Sequence, residues 1–152
     1  MAGDAFLVDT NILIRSVQPH DSDYPVVDAC LARLVQSSAK LYYTSQNLGE
    51  FWNSLTRPAD RNGYGLSPSE ANDLAKMIEA KFGLLPDSVL VHEEWRRMLV
   101  SHSISGVQVH DARLVAAMRV HGVKRILTFN AKDFRRFLDV DALHPQDLIA
   151  IP

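Results

Sequence analysis

Two stretches of this chain run from apolar residues straight into acids. "FLVDTNIL", residues 6–13, carries Asp9, and "ILTFNAKDF", residues 126–134, carries Asn130 and Asp133. Two further acids stand near similar transitions. Glu50 lies one helical turn beyond "KLYYTS", past Ser45 and Asn47, and Asp111 opens "HDARLVAAMRVHG". Carboxylates gathered at one edge would repel one another at neutral pH. A hard divalent cation with oxygen ligands, Mg²⁺ or Mn²⁺, is the usual resolution. Each acid alone has a plainer reading. Asp9 and Asp111 suit helix caps or first turns, Glu50 a solvated helix face, and Asp133 the cap of a turn. The coincidence of place favours the metal reading over four independent caps.

Other chemistries lack their residues. The six histidines, His20, His92, His102, His110, His121 and His144, show no zinc-ligand spacing. His110 alone stands near the acids, and its plainer reading is a surface or helix-start residue. There is no phosphate-binding P-loop and no Gly-rich dinucleotide turn. Ser45 and Ser54 lack a nucleophile-elbow context. Trp52 and Trp95 sit among apolar residues at helical spacing and read as packing.

The elements that must position the acids follow from periodicity. Residues 6–8 read as a buried strand, with a helix starting over 11–15. Pro25 suits a first helical turn. Val26, Val27, Cys30, Leu31, Leu34 and Val35 recur at helical spacing. A second strand is expected over 40–45, then a helix ending near Pro58. Residues 57–68, "RPADRNGYGLSP", read as a loop. Ser67, Pro68 and Glu70 mark a helix start, with Ala71, Leu74, Ala75, Ile78 and Phe82 inward. "SVLVHE", 88–93, reads as a third strand, followed by a short helix over 95–101. Asp111 opens a strong helix with Leu114, Val115 and Met118 inward and Gly122 as its stop. A fourth strand is expected over 125–130 and a weak fifth over 148–151. Short apolar strands alternating with helices predict an α/β fold, with a mostly parallel sheet covered on both faces. Ligands of such sheets gather beyond the carboxyl ends of the strands.

The whole chain sets the limits. Its 152 residues suit one domain spanning 1–152, and 47% hydrophobic residues suit a filled core. No apolar run nears the roughly 20 residues a bilayer requires, so no membrane is expected. Residues 1–4 lack the start of a signal peptide. The single cysteine, Cys30, reads as a buried apolar group in a protein of the reducing cytoplasm. A net charge of −2 is not the footprint of a protein that holds nucleic acid by bulk charge. It leaves room for a nucleic-acid substrate, because acids gathered in one pocket also lower the total.

The stretches "FLVDTNIL", "SQNLGEFWN", "VHDARLVAAM" and "ILTFNAKDF" together resemble the PIN domain family, and within it the VapC-type toxins of toxin–antitoxin pairs. Their order spans nearly the whole chain. The first and last are fairly specific as a pair, and the middle two would be weak alone. The resemblance implies a parallel sheet flanked by helices and a metal-dependent ribonuclease site. Asp9, Glu50, Asp111 and Asp133 match the family's acidic quartet as catalytic and metal-binding residues. Asn11, Thr128 and Asn130 match its small polar supporting positions. Many PIN domains carry an acid where Asn130 stands, so either Asn130 or Asp133 fills the fourth place.

The expected activity is a Mg²⁺- or Mn²⁺-dependent endoribonuclease acting on single-stranded or loop RNA. Arg15, Arg113, Lys132, Arg135 and Arg136 are candidate RNA contacts, each of which alone reads as a solvated surface charge. A toxin would have an antitoxin partner, seated on apolar positions around Ile12, Ile14 and Val17 unless those are core residues, and a homodimer is expected. The loop near 57–66 is a candidate recognition segment. The alternatives within the family are a housekeeping or DNA-acting nuclease and a binding module without catalysis. Outside it, an aspartate-nucleophile phosphatase would want a second Asp where Asn11 stands. A receiver-type phosphoacceptor would want an acidic pair and a later Lys, and neither arrangement occurs.

Overall fold

The computed structural model describes residues 4–150. Its strands are β1 (Ala5–Val8), β2 (Lys40–Thr44), β3 (Gly83–Leu85), β4 (Arg125–Leu127) and β5 (Asp141–Leu143). They form one sheet in the order β3-β2-β1-β4-β5, and every pairing is parallel. Around it lie α1 (Thr10–Ser16), α2 (Tyr24–Gln36), α3 (Ser45–Thr56), α4 (Pro68–Lys81), α5 (Val89–Ser101), α6 (Gln108–His121) and α7 (Pro145–Ile149). The α/β fold with a parallel sheet is as expected. The chain leaves β1 for β2 and β3 on one side and later places β4 and β5 on the other. Between β1 and β4 the winding reverses, and there a crevice opens beyond the carboxyl ends of the strands.

The central strand is buried on both faces, as a parallel sheet covered by helices requires. Phe6 and Val8 join the core with α1 to α4 and α7, while Leu7 joins the core with α5 and α6. Burying each such side chain contributes about 1.5–3 kcal/mol. Trp52 and Trp95 are partly buried against these two cores, and Cys30 is fully buried on α2.

Local chemistry explains most boundaries. Ser67 accepts from the Glu70 N–H and Glu70 reaches back to Ser67, a capping box with Pro68 in the first turn. Gly122 ends α6 at φ 70°, in the left-handed region that favours glycine.

Several boundaries differ from the sequence reading. Residues 88–93 open α5 and are not a strand. Ser88 caps that helix by accepting from the Val91 N–H, and Val91, Trp95 and Met98 continue one inward face. The third strand is β3, three residues long and without alternation. Its Gly83 is required by packing, since a Cβ there would lie 2.9 Å from the Tyr42 ring. The fifth strand is β5, not 148–151. His144 and Asp147 form a capping box that starts α7 with Pro145, and Ile151 lies outside the described residues. β4 stops at Leu127, the Thr128 N–H makes a last bond to the Leu143 carbonyl at 2.9 Å, and after Phe129 and Asn130 a 3-10 turn, Ala131–Phe134, follows.

Ile12, Ile14 and Val17 are core residues at 0%, 7% and 8% exposure, so they form no open groove for a partner. The loop at 57–66 folds back on the end of α3, with Tyr64 N–H donating to the Ser54 carbonyl and Leu66 N–H to that of Leu55. Among the described residues no helix is long and apolar enough to cross a membrane.

Candidate active site

The parallel register sets Val8 beside Leu127, so the next residues, Asp9 and Thr128, emerge together at the switch point. The Asp9 N–H donates to the Leu127 carbonyl at 3.0 Å. Asp9 is also the N-cap of α1. One of its carboxylate oxygens accepts from the Thr10 N–H and the other from the Thr128 hydroxyl, each at 2.8 Å. The Thr128 oxygen in turn accepts from the Asn130 N–H at 3.0 Å. Asp9 is thus both a cap and a residue held open to the crevice, so the two readings of it are compatible.

The remaining acids arrive on helices whose starts are tied to this point. Asn47, fully buried, caps α3 reciprocally with Thr44, and its Nδ2 donates to the Thr10 hydroxyl at 3.1 Å. That link fixes the helix bearing Glu50 against the first residue of α1. Gln46 Nε2 donates to the His110 carbonyl at 2.9 Å and fixes the same helix against the first turn of α6, which bears Asp111. Sequence reasoning missed both links. Thr44 and Asn47 are spaced as a cap, but nothing in their spacing names Thr10 as a third partner.

Asp9, Glu50 and Asp111 line one cleft of about 270 Å³, together with Thr10, Asn11, Ile14, Arg15, Ser54 and Asn130. Ser54 was legible in principle, one helical turn beyond Glu50 on α3. Larger hollows of about 420 Å³ and 510 Å³ lie at the amino ends of β4 and β5 and between α2 and α7. Neither joins acids from three elements, so chemistry rather than volume singles out the smaller cleft. Asp133 is exposed in the 3-10 turn and does not line it, whereas Asn130 does.

The acids nonetheless sense one another. Burial, then the charges of Asp9, Asp133 and Glu50, pushes the Asp111 carboxyl up to about 6. Asp9 is raised by burial and by Asp133, against the hydrogen bonds from Thr128 and Thr10. Glu50 is raised by loss of solvent around its carboxyl, opposed by Gln46, although much of the residue is exposed. The exposed His110 favours the charged forms of Glu50 and Asp111.

The oxygen-only donor set suits a hard divalent cation. Among the described residues no group of three or more His, Cys, Asp or Glu side chains is arranged to hold a metal ion. An ion would therefore meet one or two carboxylates and keep water on its other positions, which is the habit of Mg²⁺.

Asn11 holds the chain beyond β4, its Oδ1 accepting from the Phe129 N–H at 3.3 Å. Of the five candidate cations only Arg15 lines the cleft. Arg113 pairs with Asp87 at 3.2 Å, and Arg136 binds Gln108 and the His102 carbonyl. Lys132, within the 3-10 turn, and Arg135, just after it, are exposed.

The PIN domain model matches residues 6–139. Similar solved structures include VapBC2 from Rickettsia felis bound to a DNA fragment from their promoter, at TM-score 0.67 and 13% identity, covering 92% of this chain and 98% of that one. VapC20 from Mycobacterium tuberculosis, described as a sarcin-ricin loop cleaving toxin, has TM-score 0.64 and 20% identity over 87% and 95% of the two chains. FitAcB from Neisseria gonorrhoeae has TM-score 0.62 and 18% identity over 94% and 99%. No curated protein matches the chain. Identities this low establish a shared fold and nothing finer. Membership rests on the family model, whose match runs from β1 past β4, and by that match the chain belongs to the PIN domain family.

Proposed function

We propose that this protein is a Mg²⁺- or Mn²⁺-dependent endoribonuclease, the toxin of a toxin–antitoxin pair, cutting single-stranded or loop RNA. The observation that carries the reading is the convergence of Asp9, Glu50 and Asp111 on one cleft at the carboxyl edge of the sheet, within electrostatic range of Asp133. Asp9, Glu50, Asp111 and Asp133 would hold the cation, one or two of them directly and the others through its water. Bound there, it would neutralise charge on the scissile phosphate and make a water more acidic.

The chain's own contribution is orientation. Thr10 and Thr128 fix the Asp9 carboxylate, so its oxygens need no rearrangement to receive a ligand. Asn47 and Gln46 set Glu50 and Asp111 at fixed places relative to Asp9. The raised Glu50 and Asp111 carboxyls suit proton exchange with a nearby water. Asn130, on the rim, can hydrogen-bond a substrate or water.

An antitoxin partner belongs to the same proposal, supported by the fold shared with the VapBC complexes, and a homodimer is proposed with it. Incubation of the protein with tRNA or ribosomal RNA and Mn²⁺ should give discrete fragments, and EDTA should stop the reaction. Cutting at the original rate in EDTA would overturn the metal dependence. Preference for DNA would overturn the substrate.

A further inference from the structure

The acid cleft contains one cation, and it is a tethered one. Arg15 lines the same cleft as Asp9, Glu50 and Asp111, and it is the one Lys or Arg side chain in that lining. Its Nη1 donates to the Asn11 carbonyl at 3.0 Å and its Nε to Asp23 at 3.4 Å, with Asp21 3.9 Å away. Its central carbon lies 5.2 Å from the centre of the Phe129 ring, a cation–π distance. Phe129 is itself held, by the Asn11 side chain at its N–H and by His144 edge-on at 5.0 Å.

A plain structural role accounts for little of this. The Arg15 side chain is 30% exposed and that of Asp23 47%, and ion pairs so exposed contribute little to stability. The three tethers use Nε, one face and one Nη1 hydrogen, and among the described residues Nη2 has no protein partner. A planar guanidinium held at Nε and Nη1, with Nη2 unengaged, can offer that nitrogen to a phosphate oxygen in a fixed direction, which a mobile ammonium would not.

Resting on the nuclease reading above, we propose that Arg15 grips a phosphate of the bound RNA strand beside the acids. It is a positioning residue, set in advance by Asn11, Asp23 and Phe129. It gives the strand a fixed register in a cleft whose other charges repel it. The loop joining α1 to α2, which supplies Asp21 and Asp23, thereby becomes part of the substrate site.

The full chain tests this with a single-stranded oligoribonucleotide, its affinity measured in EDTA across a range of salt. Arg15→Ala should weaken binding about tenfold and flatten the salt dependence by about one counterion. Arg15→Lys should keep the salt slope and recover only part of the affinity. In Mn²⁺, Arg15→Ala should raise KM more than it lowers kcat. Asp23→Ala, which keeps the cation and removes one tether, should raise KM by a smaller factor at an unchanged salt slope. Arg97→Ala, on the exposed side of α5, is the charge control. Should the Ala variant misfold, Arg15→Gln serves in its place. If wild type cuts RNA while Arg15→Ala and Arg15→Gln keep its affinity and salt slope, the inference is overturned and the nuclease reading stands. If wild type with Mn²⁺ neither binds nor cuts RNA, the nuclease reading itself is overturned.

Discussion

At the end of β1 both carboxylate oxygens of Asp9 accept hydrogen bonds from the protein, one from Thr10 and one from Thr128. Beyond β4, the neighbouring strand, Asp133 sits exposed in a 3-10 turn, and among the described residues nothing donates to its carboxylate. The two segments look alike in sequence, each an apolar run leading into an acid. Their difference is one of restraint. A carboxylate locked from two sides is pre-organised for a cation, while an exposed one must be drawn in at the cost of its rotamer freedom. Asp9 should therefore anchor the site, and Asp133 should tune it.

The comparison can be sharpened by mutation. Asp9→Asn should lower cleavage by about a thousandfold or more, the equivalent of several kcal/mol of lost charge stabilisation. Its melting temperature should stay near that of wild type, because a neutral side chain relieves repulsion in the cleft. Cleavage rates in Mn²⁺ beside thermal melts measure both. A wild-type rate in Asp9→Asn would remove the anchor.

Thr128→Val comes next. It deletes the donor to Asp9 and the acceptor of the Asn130 N–H, and should cost about 10–100-fold in kcat/KM. Thr128→Ser keeps the hydroxyl and should recover most of it. Equal losses in both variants would mean that the methyl packing, not the hydrogen bond, matters.

For Asp133→Asn we expect about a tenfold loss at most, the smaller effect of an unanchored acid. A loss as large as that of Asp9→Asn would break the comparison, because it would mean that a bound ion draws Asp133 fully into the cleft. Titration of the two variants with Mn²⁺ separates weaker ion binding from slower chemistry.

The smallest effect is on stability without metal. Asp111 has its folded carboxyl raised to about 6 from 3.8, so between those values the folded state holds a proton that the unfolded state has lost. Stability should fall as pH rises from about 4 to 6 and stay low above it. Discounted for partial exposure, the contribution is about 1–2 kcal/mol. Urea melts in EDTA at pH 4 and pH 7.5 measure it, and Asp111→Asn should flatten the dependence. A steeper curve in that variant would contradict the sign.

The sequence alone was sufficient for the α/β class, the buried first strand and the strong helix behind Asp111, because apolar spacing and caps act over a few residues. Residues 88–93 misled because six apolar-rich residues cannot separate a strand from the first turns of a helix. The inward face of Val91, Trp95 and Met98 becomes visible only over ten. β3 and β5, three residues each, take their strand form from their neighbours' ladders rather than from their own composition.

At the site, the residue types and order of the acids were legible, since a strand that ends in Asp is a local pattern. Their relative standing was not. The register of β1 on β4 placed Thr128 against Asp9, Asn47 and Gln46 joined three helix starts, and the turn at Ala131–Phe134 carried Asp133 off the cleft and left Asn130 on its rim. Arg15 was one basic residue among five until the fold brought Asn11, Asp23 and Phe129 around it. Each of these partnerships crosses the chain or depends on how a turn closes. Side-chain chemistry names the groups able to bind an ion or a phosphate, but the ladder and the packed helix ends select those that meet.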